Sequence, residues 1–209
     1  MVAGSNPAEV THIGLAVILA KPTKFKLSKT SINLLKAQTL NIQSLKTERL
    51  ILIPFTIEIC NNLLKGDFED LFKMGLKRGK SWPDTDVIET IPKIINNLSQ
   101  VESPTGFESW MIIKNDTFEI IGDLGFKGFN YEEENVDIGY GIIKEERRKG
   151  YAEEATLELI KWTFSNESVK EITARCLIDN LSSVKLLKKL NFVETKKDNE
   201  MIYWSLQNK

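Results

Sequence analysis

Histidine is nearly missing: the 209 residues hold one, His12. Hydrolases built on Ser-His-Asp or Cys-His, HExxH metalloproteases and His-ligated zinc enzymes all need an imidazole at the reacting centre. These classes are not expected, and the chemistry falls to carboxylates, hydroxyls, backbone dipoles or a borrowed cosubstrate. Cysteine is scarce too. Cys60 and Cys176 stand far apart and form no CxxC, so neither a zinc site nor a disulfide framework is expected, and a reducing cytoplasm is the expected compartment. Neither sign of charge is in surplus. With 28 basic and 29 acidic residues the net charge is −1, which gives no general field for nucleic acid or an anionic membrane. The apolar run Ile13–Ala20 is eight residues, too short to span a bilayer. The stretch before it carries Glu9 and no Lys or Arg, unlike the basic start of a signal peptide.

What is present reads as globular. Hydrophobic residues make up 42% and charged residues 27%, enough for a core and one main domain. The first forty residues fit that pattern poorly. Five lysines and no acid lie between Lys21 and Lys36, and strand and helix signals start only near Thr47. The expectation is a poorly structured extension over residues 1–40 ahead of a folded domain over 41–209, with the working chain beginning near Leu40. Gly4-Ser5-Asn6-Pro7 is the kind of peptide a translated tRNA T-arm yields. A basic flexible arm is the competing reading.

From Glu48 the pattern is regular. Glu48–Thr56 alternates as a strand, with Pro54 at an edge or an end. Helical spacing follows near Ile57–Lys65 and again near Glu89–Leu98, separated by a loop around Gly79–Asp84. Strands are predicted at Phe107–Lys114, Glu119–Phe126 and Val136–Ile143, with a hairpin turn at Lys114–Thr117. A helix over Tyr151–Phe164 turns Ala152, Ala155 and Leu159 to one face and has acids in its first turn, where the dipole favours them. A strand at Glu171–Leu177, a helix at Asn180–Leu190 and strands at Phe192–Thr195 and Met201–Leu206 complete the order. Asn191 suits a left-handed residue ending that last helix.

One stretch carries chemistry. Gly139–Ile143 runs as a strand into the basic loop Lys144–Lys149, which opens directly into a helix at Gly150. Unpaired N–H groups at a helix start, reinforced by the dipole, bind anions, and a pyrophosphate would fit there. The spacing Arg147-x-x-Gly150-x-Ala152 resembles the Q/R-x-x-G-x-G/A coenzyme A loop of the GNAT acetyltransferases. Asn180-Leu-Ser-Ser183 through Asn191-Phe192 resembles the N-x-x-S…G-F helix of the same superfamily. The likeness spans about Leu45 to Leu206 and is greatest to the ribosomal-protein N-terminal (RimJ/RimL-like) branch. Three departures stand out: Arg148 and Asn191 replace usual glycines, and Leu187 stands where many relatives carry a tyrosine that protonates the leaving thiolate.

The resemblance implies an α+β fold, a mixed and mostly antiparallel sheet of about seven strands flanked by four helices and splayed to hold acetyl-CoA. It implies acetyl-CoA as cosubstrate and no metal. Coenzyme contacts would come from Tyr140, Gly141, Ile142 and Ile143 on the strand, from Arg147, Arg148, Lys149, Gly150, Tyr151 and Ala152 at the loop, and from Asn180 and Ser183. The thioester carbonyl would meet a backbone N–H near Tyr140 or Gly141, and Ser183 is the nearest hydroxyl to replace the missing tyrosine. Asp137 is the favoured general base, with Glu119 and Asp123 as rivals. The implied acceptor is an amine on a protein N-terminus or a small molecule. Eight acids against two lysines over residues 106–140 would favour a cationic one. Trp82 and Trp110 read as core or as walls of an acceptor pocket, and Cys176 as buried and inert. A non-catalytic acyl-CoA-binding module is the alternative. Nucleic acid, through the lysines at 185, 188, 189, 196 and 197, is a weak reading. No membrane is expected, and a homodimer is left open.

Overall fold

The computed structural model describes residues 44–208. The expected extension over 1–40 lies outside the described residues. Nine strands form one sheet: β1 (Leu45–Lys46), β2 (Leu50–Pro54), β3 (Lys77–Arg78), β4 (Ser109–Lys114), β5 (Glu119–Asn130), β6 (Asn135–Ile142), β7 (Glu171–Leu177), β8 (Val193–Lys197) and β9 (Met201–Gln207). Among the described residues five α-helices accompany them: α1 (Ile57–Leu64), α2 (Glu69–Lys73), α3 (Thr85–Leu98), α4 (Tyr151–Phe164) and α5 (Leu181–Lys189). Where about seven strands and four helices are expected, the described residues hold nine and five. The additions are short: β1 and β3 have two residues each and α2 has five, below the length at which hydrophobic period speaks.

The sheet order is β1-β2-β4-β5-β6-β7-β9-β8, with β3 alongside β5. Only β3–β5 and β6–β7 are parallel, and α4 makes the crossover between β6 and β7. Trp110, Met111, Ile112 and Ile113 are all buried, so β4 is covered on both faces. Trp110 meets Trp162 of α4 edge-on at 5.6 Å. Met111, on the opposite face, pairs across the strands with Asp123 of β5, and Asp123 pairs with Gly141 of β6. One face of the sheet thus belongs to α4, and the other carries Asp123 and Gly141. Trp82 and Trp110 are fully buried core and are not among the residues lining the cleft beside β6.

Helix α3 starts four residues before its predicted position. Asp84 caps it, accepting from the Val87 N–H at 3.1 Å, and the helix tolerates Pro92 on an exposed turn. The loop before β4 is pinned by the buried Glu108 carboxylate, which accepts from Thr105 N–H at 2.8 Å and Gly106 N–H at 3.1 Å. Gly106 has φ 93°, and a Cβ there would lie 2.3 Å from the Trp162 ring. Gly106→Ala is expected to cost about 3 kcal/mol, adding left-handed strain to overpacking. Urea denaturation checks this, and a loss under about 1 kcal/mol would mean the ring yields. No helix among the described residues is long and apolar enough to cross a membrane.

Candidate active site

The site begins where two strands part. Strand β6 pairs with β7 only from Asn135 to Ile138, opposite Glu171 to Ala174. Beyond that point Gly139–Ile142 keeps its register with β5 but leaves β7. The Ile143 N–H bonds to the Ile121 carbonyl at 2.9 Å, so by the alternation of an antiparallel ladder Gly139 and Gly141 also face β5. Tyr140 and Ile142 turn their backbone groups into the gap. Arg147 Nε occupies one of these, donating to the Ile142 carbonyl at 2.7 Å. Of the two expected carbonyl-binding donors, Tyr140 N–H faces the gap and Gly141 N–H does not.

The basic loop then opens into α4 as its sequence predicts. Gly150 sits before the first turn with φ 82°. The N–H groups of Arg148, Lys149 and Gly150 have no acceptor among the described residues. Those of Tyr151, Ala152 and Glu153 start the helix and have no intrahelical acceptor. Six consecutive donors with a dipole behind them make an anion cradle. Arg148, where a glycine is usual, takes φ 63°, and Asn191 takes φ 65° at the end of α5. Both departures keep the left-handed backbone that glycine would supply. Arg148→Gly is expected to raise stability by about 0.5–1 kcal/mol, or about 2 °C in a thermal melt. An unchanged or lower midpoint would show that the arginine side chain offsets its own strain.

Sequence reading missed a brace beneath this loop. Glu154 accepts from the Arg49 backbone N–H at 2.9 Å, from Arg49 Nε at 2.6 Å and from the Thr47 hydroxyl at 2.5 Å. Arg49 also donates to the Lys149 carbonyl at 2.9 Å and lies 4.7 Å from the Tyr151 ring centroid. Burial works against the Glu154 carboxylate, yet Thr47 and Arg49 together hold its pKa below the usual value. The start of β2 is thereby tied to the cradle. Nothing in local spacing signals a pair 105 residues apart.

A cleft of about 770 Å³ opens between α3 and the splayed end of β6. Asp84, Asp86, Asp123, Tyr140, Gly141 and Arg147 line it. The Asp123 carboxylate leans over Gly141, where a Cβ would sit 3.7 Å from Oδ1. Burial, and then the charges of Asp84 and Asp86, push its pKa up to about 7. None of these three acids forms an ion pair among the described residues. Asp137, the carboxylate favoured from sequence, is differently placed. It is paired with Lys127 and lies 4.0 Å from Arg175 Nε, in a neighbouring hollow of about 340 Å³ rather than in the cleft. Glu119 is spent on Lys114 at 2.5 Å, whose hydrogen bond holds its pKa down.

On the far face of the gap, Asn180 Oδ1 caps α5 by accepting from the Ser183 N–H at 3.1 Å. Its capping role is met, and its amide nitrogen has no partner among the described residues. Leu187 is buried and apolar. Cys176 is buried and accepts from Trp204 Nε1 at 3.4 Å, consistent with an inert thiol.

The fold and this splayed, cradle-bearing strand define a GNAT acetyltransferase. A family model described as an acetyltransferase (GNAT) domain matches residues 49–193, and the chain belongs to that family of N-acetyltransferases. It is 39% identical over 160 residues to the uncharacterized N-acetyltransferase YjdG of Bacillus subtilis, covering 77% of this chain and 95% of that protein. Among solved structures it is similar to the ribosomal-protein-S5-alanine acetyltransferase of Vibrio fischeri, with TM-score 0.57, 16% identity and 80% and 97% of the two chains covered. It is also similar to RimL, the ribosomal L7/L12 α-N-protein acetyltransferase, in complex with coenzyme A, with TM-score 0.56, 12% identity and 79% and 98% coverage. At these identities the two structures speak for the fold.

Proposed function

We propose that the chain transfers the acetyl group of acetyl-CoA to a cationic primary amine by direct attack within a ternary complex. The observation that carries this is the splayed strand Gly139–Ile142, with its free Tyr140 N–H, leading into the unpaired donors of Arg148 through Glu153. Those donors suit a pyrophosphate, and the gap suits the arm between it and the thioester. Bound acetyl-CoA supplies an activated acyl group, and the remaining work falls to the protein. Tyr140 N–H polarises the thioester carbonyl and stabilises the charge that develops on its oxygen. Asp123, rather than Asp137, takes the proton from the incoming ammonium, and its elevated pKa matches a base working near neutrality. Asp84 and Asp86 draw the cation into the cleft and hold it for attack. Ser183, on the opposite side of the strand, serves the leaving sulfur.

Thermal stability with and without acetyl-CoA is the first test. A ligand at about 100 times its dissociation constant should stabilise the fold by roughly 2.7 kcal/mol. Thiol release is then followed with spermidine, an aminoglycoside and short peptides with free N-termini. Stabilisation without thiol release from any amine would point to a coenzyme-binding module that does not turn over.

A further inference from the structure

An acceptor for the reaction lies over the sheet face that carries Asp123, and two features of that face limit what it can be. The first is the floor. Gly139 and Gly141 share the face with Asp123, since Asp123 pairs with Gly141 and the glycines stand two residues apart on one strand. Neither takes a positive φ. A Cβ on Gly139 would meet nothing within 4 Å, and one on Gly141 would meet only Asp123 Oδ1, at 3.7 Å. Glycine weakens a strand, and here neither backbone nor packing requires it. The two glycines leave a bare stretch of sheet along the cleft, with room above the backbone.

The second is the charge at the two ends of this floor. Asp84, Asp86 and Asp123 supply one end and form no ion pair among the described residues. At the other end β7 brings Arg175. Ile138 and Ala174 are the last pair between β6 and β7, so Arg175 is the first residue of β7 past the parting, on the face of Asp137 and Gly139. It lines the cleft. Its one acidic partner among the described residues, Asp137, lies 4.0 Å from its Nε and is already paired with Lys127. Two cations thus share one carboxylate, and positive charge is left over. Of the other cations lining the cleft, Arg147 is bound to the Ile142 carbonyl and Lys93 rides on α3. Two strand widths and a two-residue offset put the Asp123 and Arg175 Cα atoms about 12 Å apart before the splay widens the gap. Their side chains close part of that span, and the remainder suits a short carbon chain.

We propose that the acceptor is a zwitterion, an amine held at Asp123 that carries a carboxylate a few bonds away, and that Arg175 receives the carboxylate. This rests on the acetyl-transfer reading above and narrows its acceptor from any cationic amine to an amino acid or a peptide with an acidic residue next to its free N-terminus. The guanidinium offers paired N–H donors that match a carboxylate in shape and charge. Asp84 and Asp86 serve the ammonium, and the bare floor of Gly139 and Gly141 takes the carbons between the two charges. Arg175 touches no reacting atom; it sets which amines are held in place for attack.

The test measures thiol release from acetyl-CoA with acceptors in matched pairs. Straight-chain amino acids from 3-aminopropanoate to 6-aminohexanoate are set against alkylamines of the same length, and a Ser-Asp-Ala amide against a Ser-Asn-Ala amide. In the wild type, kcat/KM should favour the carboxylate-bearing member of the best pair by about tenfold, between the worth of an exposed ion pair and that of a sheltered hydrogen bond to a charge. A preference seen among the amino acids assigns a small-molecule acceptor, and one confined to the peptides assigns a polypeptide N-terminus. Arg175→Met should bring the ratio to parity and Arg175→Lys should keep part of it; a ratio read within one variant cancels any loss of folded protein. Gly139→Val should melt no lower than the wild type yet lose about tenfold or more in kcat/KM for the preferred acceptor, by displacing it. Parity in the wild type, a ratio unmoved by Arg175→Met, or a Gly139→Val chain that is fully active or melts lower overturns the inference and leaves the acetyl-transfer reading standing. Thiol release from no amine in the wild type overturns that reading and the inference with it.

Discussion

Asp123→Asn should make the protein more stable and nearly inactive at the same pH. The sign follows from the direction of its pKa. The carboxyl sits at about 7 in the folded chain against 3.8 ordinarily, so the folded state holds the proton more tightly. Its contribution to stability is complete below about pH 4 and is lost as pH rises through about 7. Above that the fold carries a desolvated anion facing Asp84 and Asp86. Asparagine removes the anion and should gain roughly 2 kcal/mol at pH 8, allowing for water in the open cleft, with no gain at pH 4. The same change removes the proposed base and should lower kcat by about 10²- to 10⁴-fold. In the wild type, kcat/KM should climb with pH to a plateau above about 7. Melts at the two pH values and a pH–rate profile check all three. A variant that is inactive but not stabilised at pH 8 would mean that Asp123 is solvated in solution.

Glu154→Ala should act on the coenzyme without touching the acceptor. It removes the acceptor of three donors from Thr47 and Arg49 and frees Arg49 from its place over Tyr151. Hydrogen bonds to a charged group are worth about 1.5–3 kcal/mol each when a partner is removed, and partial exposure of Arg49 lowers the total to roughly 2–3 kcal/mol. Because Arg49 also holds the Lys149 carbonyl, the cradle loosens with it. The KM for acetyl-CoA should rise about tenfold while kcat changes less than about threefold, since the brace touches neither Asp123 nor Ser183. Steady-state kinetics with acetyl-CoA varied will tell. A fall in kcat at constant KM would place the brace in the chemical step instead.

Most strands and helices were legible because each carries its own period. Val136, Ile138 and their outward neighbours alternate, and Ala155, Leu159 and Thr163 recur along α4. The cradle was legible too, since Gly150 and the basic loop are contiguous, and so was Asn191 as a left-handed residue. The start of α3 could have been found from Asp84 standing three residues before Val87, a capping pattern that the loop-like Gly79–Asp84 stretch obscures. The placement of the carboxylates was not legible. Asp123 and Asp137 both sit on strands at the same face, and what separates them is a register shift between Phe126 and Phe129 that sets Lys127 beside Asp137. Burial of Asp123 depends on α3, distant in sequence, and so does the charge that raises its pKa.

The parting of β6 from β7 has a consequence for how the fold is completed. It leaves an edge strand in the middle of a sheet, with amide groups turned toward a space that no other segment among the described residues fills. Outer edges are guarded by lysines, as β8 is with Lys196 and Lys197, but an inner edge has no such guard. A pantetheine arm, which carries two amides of its own, can pair with that edge as an added half-strand. Ligand and sheet would then melt as one unit, and hydrogen exchange at Tyr140 and Ile142 would slow in step with occupancy of the coenzyme site.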